Sequence, residues 1–279
     1  MPSRSKGWST AKRTGHAYEH ELFDLSTQGA KSFVDQVSSF QGKPGNRIAE
    51  VKVPYGAVET LLGGKSEGKP DACVTFKNHD RFTVSIKKPG SQSNGQVHLS
   101  TLERFEKAWH AITSQPLHAK VAEYLRLFVG DDEIDNLQIL APGVVPTPRL
   151  HTRTQQSLDL HQVRLSPATI AIYKPMVARA FMDWAQSEAV LIADIFLFRG
   201  YAANEEDYAQ GIWFGREERL VTREEVLLGV KSHPQVHIGT SGGTIRFPWG
   251  FLQFHAPRGR RQLQAHWESK KIIELVDHQ

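Results

Sequence analysis

The most regular hydrophobic pattern of the chain lies between Pro70 and Lys87, where two short runs alternate apolar and polar residues. Between the runs, the polar residues 77–80 have the composition of a tight turn. Successive side chains of a strand point to opposite faces, so one face is apolar and the other carries Asp71, Ser85 and Lys87. The apolar positions are Ala72, Val74, Phe76, Phe82, Val84 and Ile86. The pattern predicts a β-hairpin that packs on a core and presents a carboxylate, a hydroxyl and an ammonium.

The residues around the hairpin predict alternating helices and strands. Tyr18 and Leu22 fall on one helical stripe near the N-terminus. Further elements are expected as helices over 30–40 and 56–62, strands over 48–53 and 136–141, a flexible loop over 89–96, and a helix that opens with a Ser100/Glu103 capping box. The predicted order is helix, three strands, helix and strand.

The second half of the chain begins with irregular polar sequence and becomes β-rich towards its end. Ser166 and Pro167 are typical of a helix start, and the apolar stripe predicts one helix to about residue 187. The apolar run 190–198 predicts a buried strand, and Thr222 with Glu225 predicts a capping box for a short helix that ends near Gly229. Four strands are expected after residue 236, over 236–238, 244–247, 250–255 and 262–267.

Composition is that of an ordinary globular protein, with 39% hydrophobic and 23% charged residues among 279. No run approaches the roughly 18 apolar residues of a membrane-spanning helix, and the N-terminal segment lacks the apolar centre of a signal peptide. The single cysteine, Cys73, excludes an internal disulfide and a cysteine-rich zinc site. We therefore expect a cytoplasmic protein with no membrane partner.

The net charge of +4 is mild, but its distribution is uneven. Basic residues crowd residues 4–13 and a glycine-containing turn near residue 260. Such clusters can neutralise phosphates, although a solvated basic surface explains them equally well.

The hairpin carries a recognisable motif. Pro70-Asp71, thirteen intervening residues and Ser85-Ile86-Lys87 together resemble the PD-(D/E)XK nuclease motif, in the variant with serine at the second acid. The resemblance covers about residues 15–140. It implies an α/β fold with a restriction-endonuclease-like core, in which helices flank a mixed central sheet in αβββαβ order, followed by a β-rich C-terminal region. The alternative is an ordinary α/β domain in which Asp71 and Lys87 form an exposed ion pair.

The resemblance also implies a Mg²⁺ site. Asp71 and the backbone carbonyl of Ile86 would hold the metal, and Lys87 would orient or deprotonate the attacking water. Ser85 cannot supply the second negative charge, which Glu19 or Glu103 would then provide. Glu19 is equally explained as a solvated helix residue, and Glu103 as part of a capping box.

Several polar residues are candidates for contacts with double-stranded DNA. Arginine and glutamine side chains can read guanine and adenine edges, although the polar strand positions also suit the wet face of an antiparallel sheet. The candidates are Lys88, Ser91, Gln92, Asn94 and Gln96 in the loop, Arg246, Gln253, His255 and Gln264 on the late strands, and Arg258, Arg260 and Arg261 in the basic turn.

Three prolines at 142, 146 and 148 mark a change of composition. We therefore expect a catalytic core over residues 1–145 and a target-recognition region over 146–279, which could pack together as one domain. The predicted function is a Mg²⁺-dependent type II restriction endonuclease, with a homodimer matched to a palindromic site. The alternatives are a repair or junction-resolving nuclease of the same fold and a catalytically inactive DNA-binding protein.

Overall fold

The computed structural model describes residues 22, 28–40, 48–87, 94–130, 165–255 and 262–278. The chain forms two compact units that interleave along the sequence. Unit 1 comprises Met1–Ser93 and Leu197–Leu228, and unit 2 comprises Asn94–Phe196 and Gly229–Gln279. The predicted boundary near residue 145 and the predicted strand 136–141 lie outside the described residues.

Unit 1 is built on a five-stranded mixed sheet with the order β1-β4-β5-β7-β8. Only the β5–β7 pair is parallel, and the other three pairs are antiparallel. Its elements are α1 (Gln28–Phe40), β1 (Ile48–Lys52), the small hairpin β2 (Ala57–Glu59) and β3 (Lys65–Glu67), then β4 (Ala72–Phe76), β5 (Arg81–Lys87), a 3₁₀ turn (Glu205–Asp207), β7 (Gly211–Phe214) and β8 (Arg219–Thr222).

The predicted hairpin is confirmed as β4 and β5, with Val74 facing Phe82 and Ala72 facing Val84. Its apolar face packs against α1 in one core, because the alternating residues all project to the same side of the sheet. Phe33 of α1 meets Trp213 of β7 edge-to-face at 5.2 Å, and both are fully buried. The core thus holds the apolar face of the hairpin, and the polar face lies on the side of the sheet away from α1.

Unit 2 combines a helical layer with a five-stranded antiparallel sheet in the order β6-β12-β11-β10-β9. Tyr124 and Phe181 stack at 3.9 Å in the helical layer. Its elements are β6 (Asn94–Ser100), α2 (Leu102–Thr113), α3 (Ala119–Val129), α4 (Pro167–Tyr173), α5 (Pro175–Ser187), α6 (Ala189–Ala193), β9 (His237–Ile238), β10 (Ile245–Phe247), β11 (Gly250–His255), β12 (Gln262–Glu268) and α8 (Ser269–Asp277). The four late strands were therefore predicted correctly.

The described residues also include a π-helical segment (Asp194–Arg199) and α7 (Arg223–Ser232). The Thr222/Glu225 capping box of α7 is confirmed, since Thr222 N–H donates to Glu225 at 2.8 Å and Glu225 N–H donates back at 3.3 Å. No helix of the described segments is long and apolar enough to cross a bilayer.

The prediction of a helix over 56–62 is wrong, because these residues enter the β2–β3 hairpin. Gly63 and Gly64 adopt positive φ angles of 81° and 71°, and Thr60 Oγ1 donates to the Gly63 carbonyl at 2.9 Å. The two glycines allow a left-handed turn that a helix does not contain.

The apolar run 190–198 is helical rather than a strand. A short buried apolar run carries no period that separates a strand from a buried helix, and here the helical alternative is realised. The predicted helix over 166–187 begins at the Ser166 cap as expected but divides into α4 and α5 at Lys174. Pro175 disfavours helical geometry at the residue before it, where φ is −130°.

The predicted Ser100/Glu103 capping box is also wrong. Thr101 is the N-cap of α2, and its side chain accepts from Arg104 N–H at 3.4 Å. Ser100 and Thr101 are both suitable N-cap residues. The spacing of three between Ser100 and Glu103 favoured Ser100, but the helix begins one residue later.

Candidate active site

Asp71 lies at a distortion in the hairpin, immediately before β4. Its backbone N–H donates to the Val84 carbonyl at 2.9 Å, although Val84 is already the partner of Ala72. The pairing of the two strands is therefore irregular where β4 begins. There the Asp71 carboxylate lies against the next residues of β5.

One oxygen of the Asp71 carboxylate contacts three groups of β5. Oδ2 accepts from the Ile86 backbone N–H at 2.6 Å and from Ser85 Oγ at 3.1 Å. Lys87 Nζ lies 3.6 Å from the same oxygen. Hydrogen bonds to an ionised carboxylate are stronger than neutral ones, so the carboxylate is held in one orientation.

The backbone carbonyl of Ile86 belongs to the same arrangement. The N–H and C=O of one strand residue point to the same side of the strand, and the Ile86 N–H meets Asp71. Pro70, which precedes Asp71, has no N–H to donate to that carbonyl. Asp71 and the Ile86 carbonyl are thus two oxygen donors on one side of β5.

The charged groups of the cluster keep partial access to solvent. The side chains of Lys87 and Asp71 are 28% and 31% exposed, whereas Ser85 is buried. A ligand can therefore reach the ammonium and the carboxylate, while the serine hydroxyl acts from beneath them.

Both ends of β5 are fixed by hydrogen bonds to the β7 side of the sheet. Thr83 N–H donates to the Gln210 side chain at 2.9 Å, and Gln210 N–H donates to the Thr83 carbonyl at 2.8 Å. At the other end, Gly215 N–H donates to the Lys87 carbonyl at 2.7 Å. The strand that carries Ser85 and Lys87 is consequently a rigid support.

Sequence reasoning missed Lys69, which interacts electrostatically with Lys87 and Asp71. Its ammonium is enclosed by protein, although part of the residue remains exposed. This burial lowers the pKa of Lys69 well below its usual value; the Lys87 charge lowers the pKa further, and Asp71 opposes both effects.

The described donors fit a Mg²⁺ site in part. Magnesium prefers oxygen ligands and retains several waters, so a carboxylate and a carbonyl on one side of β5 suit it. Among the residues that the structure describes, however, no group of three or more His, Cys, Asp or Glu side chains is arranged to hold a metal ion. A second acid is needed to complete the set.

Of the two candidates for that acid, Glu19 and Glu103, the structure describes only Glu103. Glu19 lies outside the described residues. Glu103 lies on α2 in unit 2, is exposed, and pairs with Lys107 at 2.6 Å. The Lys107 hydrogen bond and charge lower the pKa of Glu103. Its observed partner is thus a lysine one helical turn away.

Several predicted DNA-contacting residues lie outside what the structure describes. Six of them are not described at all: Lys88, Ser91, Gln92, Arg258, Arg260 and Arg261. For three others only the backbone is described, in β6 for Asn94 and Gln96 and at the end of β11 for His255.

The three remaining candidates form a polar network on the sheet of unit 2. Arg246 pairs with Glu268 at 2.6 Å and lies over the Phe251 ring at 4.5 Å. Gln253 donates to Gln264 at 2.9 Å, and Gln264 is fully buried. As these side chains lie, the contacts of Arg246, Gln253 and Gln264 are made within the protein.

No family model matches the chain, and neither the curated proteins nor the solved structures compared with it give a match. The geometry of the hairpin cluster is therefore the basis for a functional assignment.

Proposed function

We propose that the protein is a Mg²⁺-dependent type II restriction endonuclease that hydrolyses phosphodiester bonds of double-stranded DNA at a short specific site. The observation that carries the proposal is the cluster of Asp71, Ser85, the Ile86 backbone and Lys87 on the polar face of β4 and β5. These are the residues of the PD-(D/E)XK resemblance. The proposal includes a restriction-endonuclease-like core, for which α1, β1, β4 and β5 follow the expected order.

The side chains of the cluster have distinct tasks in this reaction. The Lys87 ammonium stabilises negative charge that develops on the scissile phosphate, and it positions the attacking water. Asp71 holds that ammonium in place at 3.6 Å. Ser85 and the Ile86 N–H fix the carboxylate, so the cluster is oriented before substrate arrives.

Asp71 and the Ile86 carbonyl would hold Mg²⁺, with the second acid from Glu19 or Glu103. A bound Mg²⁺ supplies charge neutralisation at the phosphate and lowers the pKa of coordinated water. This chain's contribution is to place an oxygen donor, a backbone carbonyl and an ammonium at the end of one rigid strand.

Double-stranded DNA is the proposed partner, and a homodimer would match a palindromic site. The partly exposed Asp71 and Lys87 support an approach of the phosphate backbone to the polar face of the hairpin. The internal contacts of Arg246, Gln253 and Gln264 argue against direct base reading by these three side chains.

Incubation of purified protein with a long natural DNA and Mg²⁺ tests the proposal. We expect discrete fragments whose sequenced ends share a short site, and no fragments when EDTA replaces Mg²⁺. Cutting that follows branched or damaged structures instead would indicate a repair or junction-resolving nuclease. Intact DNA under all conditions would overturn the proposed activity.

One observation favours a second candidate, an inactive DNA-binding protein. The Asp71 oxygen that would hold a metal already contacts Lys87 and two hydrogen-bond donors, and the described residues hold no group of three or more His, Cys, Asp or Glu side chains suited to a metal ion. A gel shift without cleavage at any Mg²⁺ concentration would identify this alternative.

A further inference from the structure

The main chain of Asp71 is held from both sides. Its N–H donates to the Val84 carbonyl of β5 at 2.9 Å, and its carbonyl accepts from the Tyr55 N–H at 2.9 Å. Tyr55 lies three residues after β1, the strand that pairs with β4 on the side away from β5. The place from which the Asp71 carboxylate projects therefore depends on where Tyr55 lies.

The Tyr55 side chain is fixed at its ring and at its hydroxyl. The ring belongs to a small buried apolar cluster whose other members are Val58, Cys73, Ala202 and Tyr208. The hydroxyl donates to Asp207 Oδ1 at 2.8 Å, and the Glu206 carbonyl lies 3.3 Å away. Because the main acceptor is a carboxylate, this hydrogen bond is of the stronger, charge-assisted kind.

The turn that carries Asp207 is itself tied to β5. The next residue along the chain is Tyr208, whose carbonyl accepts from Thr83 Oγ1 at 2.5 Å. Ser85 lies two residues beyond Thr83 on the same strand. Tyr55 thus links Asp71 to a turn that is anchored on the strand of Ser85 and Lys87.

This link bears on the geometry of the hairpin cluster. Asp71 Oδ2 accepts from the Ile86 N–H at 2.6 Å and from Ser85 Oγ at 3.1 Å. Catalytic groups must be held within about 0.5 Å of their productive positions, and a misplacement of about 1 Å can slow a reaction about 10²-fold. A displaced Asp71 main chain would carry the carboxylate away from both donors and from Lys87.

We propose that Tyr55 is a positioning residue for the hairpin cluster, and that its hydrogen bond to Asp207 holds Asp71 where the carboxylate meets the Ile86 N–H and Lys87. The catalytic consequence of this inference rests on the proposed nuclease function. Tyr55 acts through the main chain of Asp71, so it is not itself a catalytic residue.

The test centres on Tyr55→Phe, which removes the hydroxyl and keeps both the ring and the backbone N–H that Asp71 accepts from. Thr60→Val is the matched control. Thr60 is 8% exposed against 7% for Tyr55, and its hydroxyl donates to the Gly63 carbonyl at 2.9 Å in the β2–β3 turn of the same unit. Both variants lose one buried hydroxyl hydrogen bond, but only Tyr55→Phe loses one that leads to Asp71.

Amide hydrogen exchange, followed by NMR in the DNA-free and metal-free protein, reports the position of the carboxylate directly. The Ile86 N–H donates to Asp71, whereas the Gly215 N–H donates to the Lys87 carbonyl at 2.7 Å and serves as an internal reference. We expect Tyr55→Phe to raise the ratio of the Ile86 to the Gly215 exchange rate about tenfold, as for a weakened hydrogen bond to a charged group. A general loss of stability would accelerate both amides and leave the ratio unchanged.

Cleavage of a duplex in Mg²⁺ gives the second readout. For Tyr55→Phe, kcat should fall about tenfold while KM stays the same, because the arrangement of the reacting groups changes and the contacts with DNA do not. Thr60→Val should alter neither kcat nor the exchange ratio.

Variants of Asp207 identify the hydrogen bond itself. Asp207→Asn keeps an acceptor oxygen and should behave as the unchanged protein. Asp207→Ala should lower kcat less than Tyr55→Phe, since the Glu206 carbonyl remains within reach of the hydroxyl. The double variant should be no slower than Tyr55→Phe alone, because both substitutions remove one interaction.

The remaining outcomes separate this inference from the proposed function. If the unchanged protein cuts DNA and Tyr55→Phe keeps its kcat, the inference is overturned while the nuclease stands. A rise in KM at constant kcat also overturns it, because Tyr55 would then act on DNA binding. If the unchanged protein does not cut DNA, the nuclease proposal falls and the exchange ratio alone decides: a raised ratio supports the positioning of Asp71, and an unchanged ratio overturns it.

Discussion

The polar faces of the two five-stranded sheets look alike in sequence but differ in structure. On the unit 1 sheet, Lys87 and Asp71 are separated by 3.6 Å and both remain partly exposed. On the unit 2 sheet, Arg246 and Glu268 approach to 2.6 Å, and Gln253 bonds a fully buried glutamine at 2.9 Å. The Arg246 side chain is 31% exposed, as much as that of Asp71, so the two sheets differ in the closeness of their ion pairs and in the burial of Gln264 rather than in solvent access.

The difference arises from the backbone rather than from residue type. In unit 1, Asp71 lies at the end of the β4–β5 ladder, where the chain no longer pairs regularly. In unit 2 the polar residues lie in the middle of regular antiparallel pairs, Arg246 opposite Phe251 and Gln253 opposite Gln264. Gln253 and Gln264, which lie opposite each other in register, therefore hydrogen-bond directly.

The largest expected effect is that of Lys87→Met. Loss of the ammonium should reduce cleavage by about 10² to 10⁴-fold, the usual contribution of a positioned acid–base or charge-stabilising group. Cleavage of supercoiled plasmid in Mg²⁺ measures the loss, with Lys77→Met as the matched control on the same hairpin. If Lys87→Met cut DNA normally, the proposal that the polar face of the unit 1 sheet is a catalytic site would be wrong.

Asp71→Ala should affect both stability and cutting. The substitution leaves the Ile86 N–H without its side-chain acceptor, and the ion pair with Lys87 is lost. We expect a destabilisation of about 1–3 kcal/mol, measured by urea unfolding. Asp71→Asn keeps an acceptor oxygen and should recover most of the stability but none of the cleavage. Equal activity of the Asn variant and the unchanged protein would contradict a charged role for Asp71.

Arg246→Met tests whether the unit 2 network is structural. The ion pair with Glu268 is lost, but Lys271 remains 3.2 Å from that carboxylate, so the free energy of unfolding should fall by only about 1 kcal/mol. The fragments cut from a long DNA should be unchanged. A new set of fragments would mean that this face reads bases, and the contrast between the two sheets would be wrong.

The smallest effect is expected for Ser85→Ala. The carboxylate of Asp71 loses one donor but keeps Ile86 N–H and Lys87, so unfolding free energy should fall by about 0.5 kcal/mol. Cleavage should slow by only a few fold in a single-turnover assay. A loss as large as that of Lys87→Met would show that the serine hydroxyl itself takes part in the reaction.

The sequence predicted the hairpin well because a period of two is a local property of strands. Asp71, Ser85 and Lys87 could be assigned to one face from that period alone. The hydrogen bond from the Ile86 N–H to the Asp71 carboxylate could not be predicted from that period, since it depends on the irregular pairing at the end of the ladder.

Other misses also have physical causes. Residues 190–198 are apolar throughout, so nothing in their pattern distinguishes a buried strand from the observed helix. Pro175 was visible as a helix breaker, yet the apolar stripe continues across it and suggested one element. The hydrogen bond between Gln253 and Gln264 depends on the register of two strands, which is not a local property of the sequence.

The parallel pairing of β5 with β7 joins Lys87 to Phe214, and the segment Asn94–Phe196 of unit 2 intervenes along the chain. A polypeptide shortened to its first 145 residues would lack β7 and β8 and would expose the hydrogen-bonding edge of the strand that holds Lys87. Unsatisfied strand edges promote aggregation. During synthesis, the β4–β5 hairpin must likewise wait until Gly211 and the residues after it are made before β7 can pair with β5.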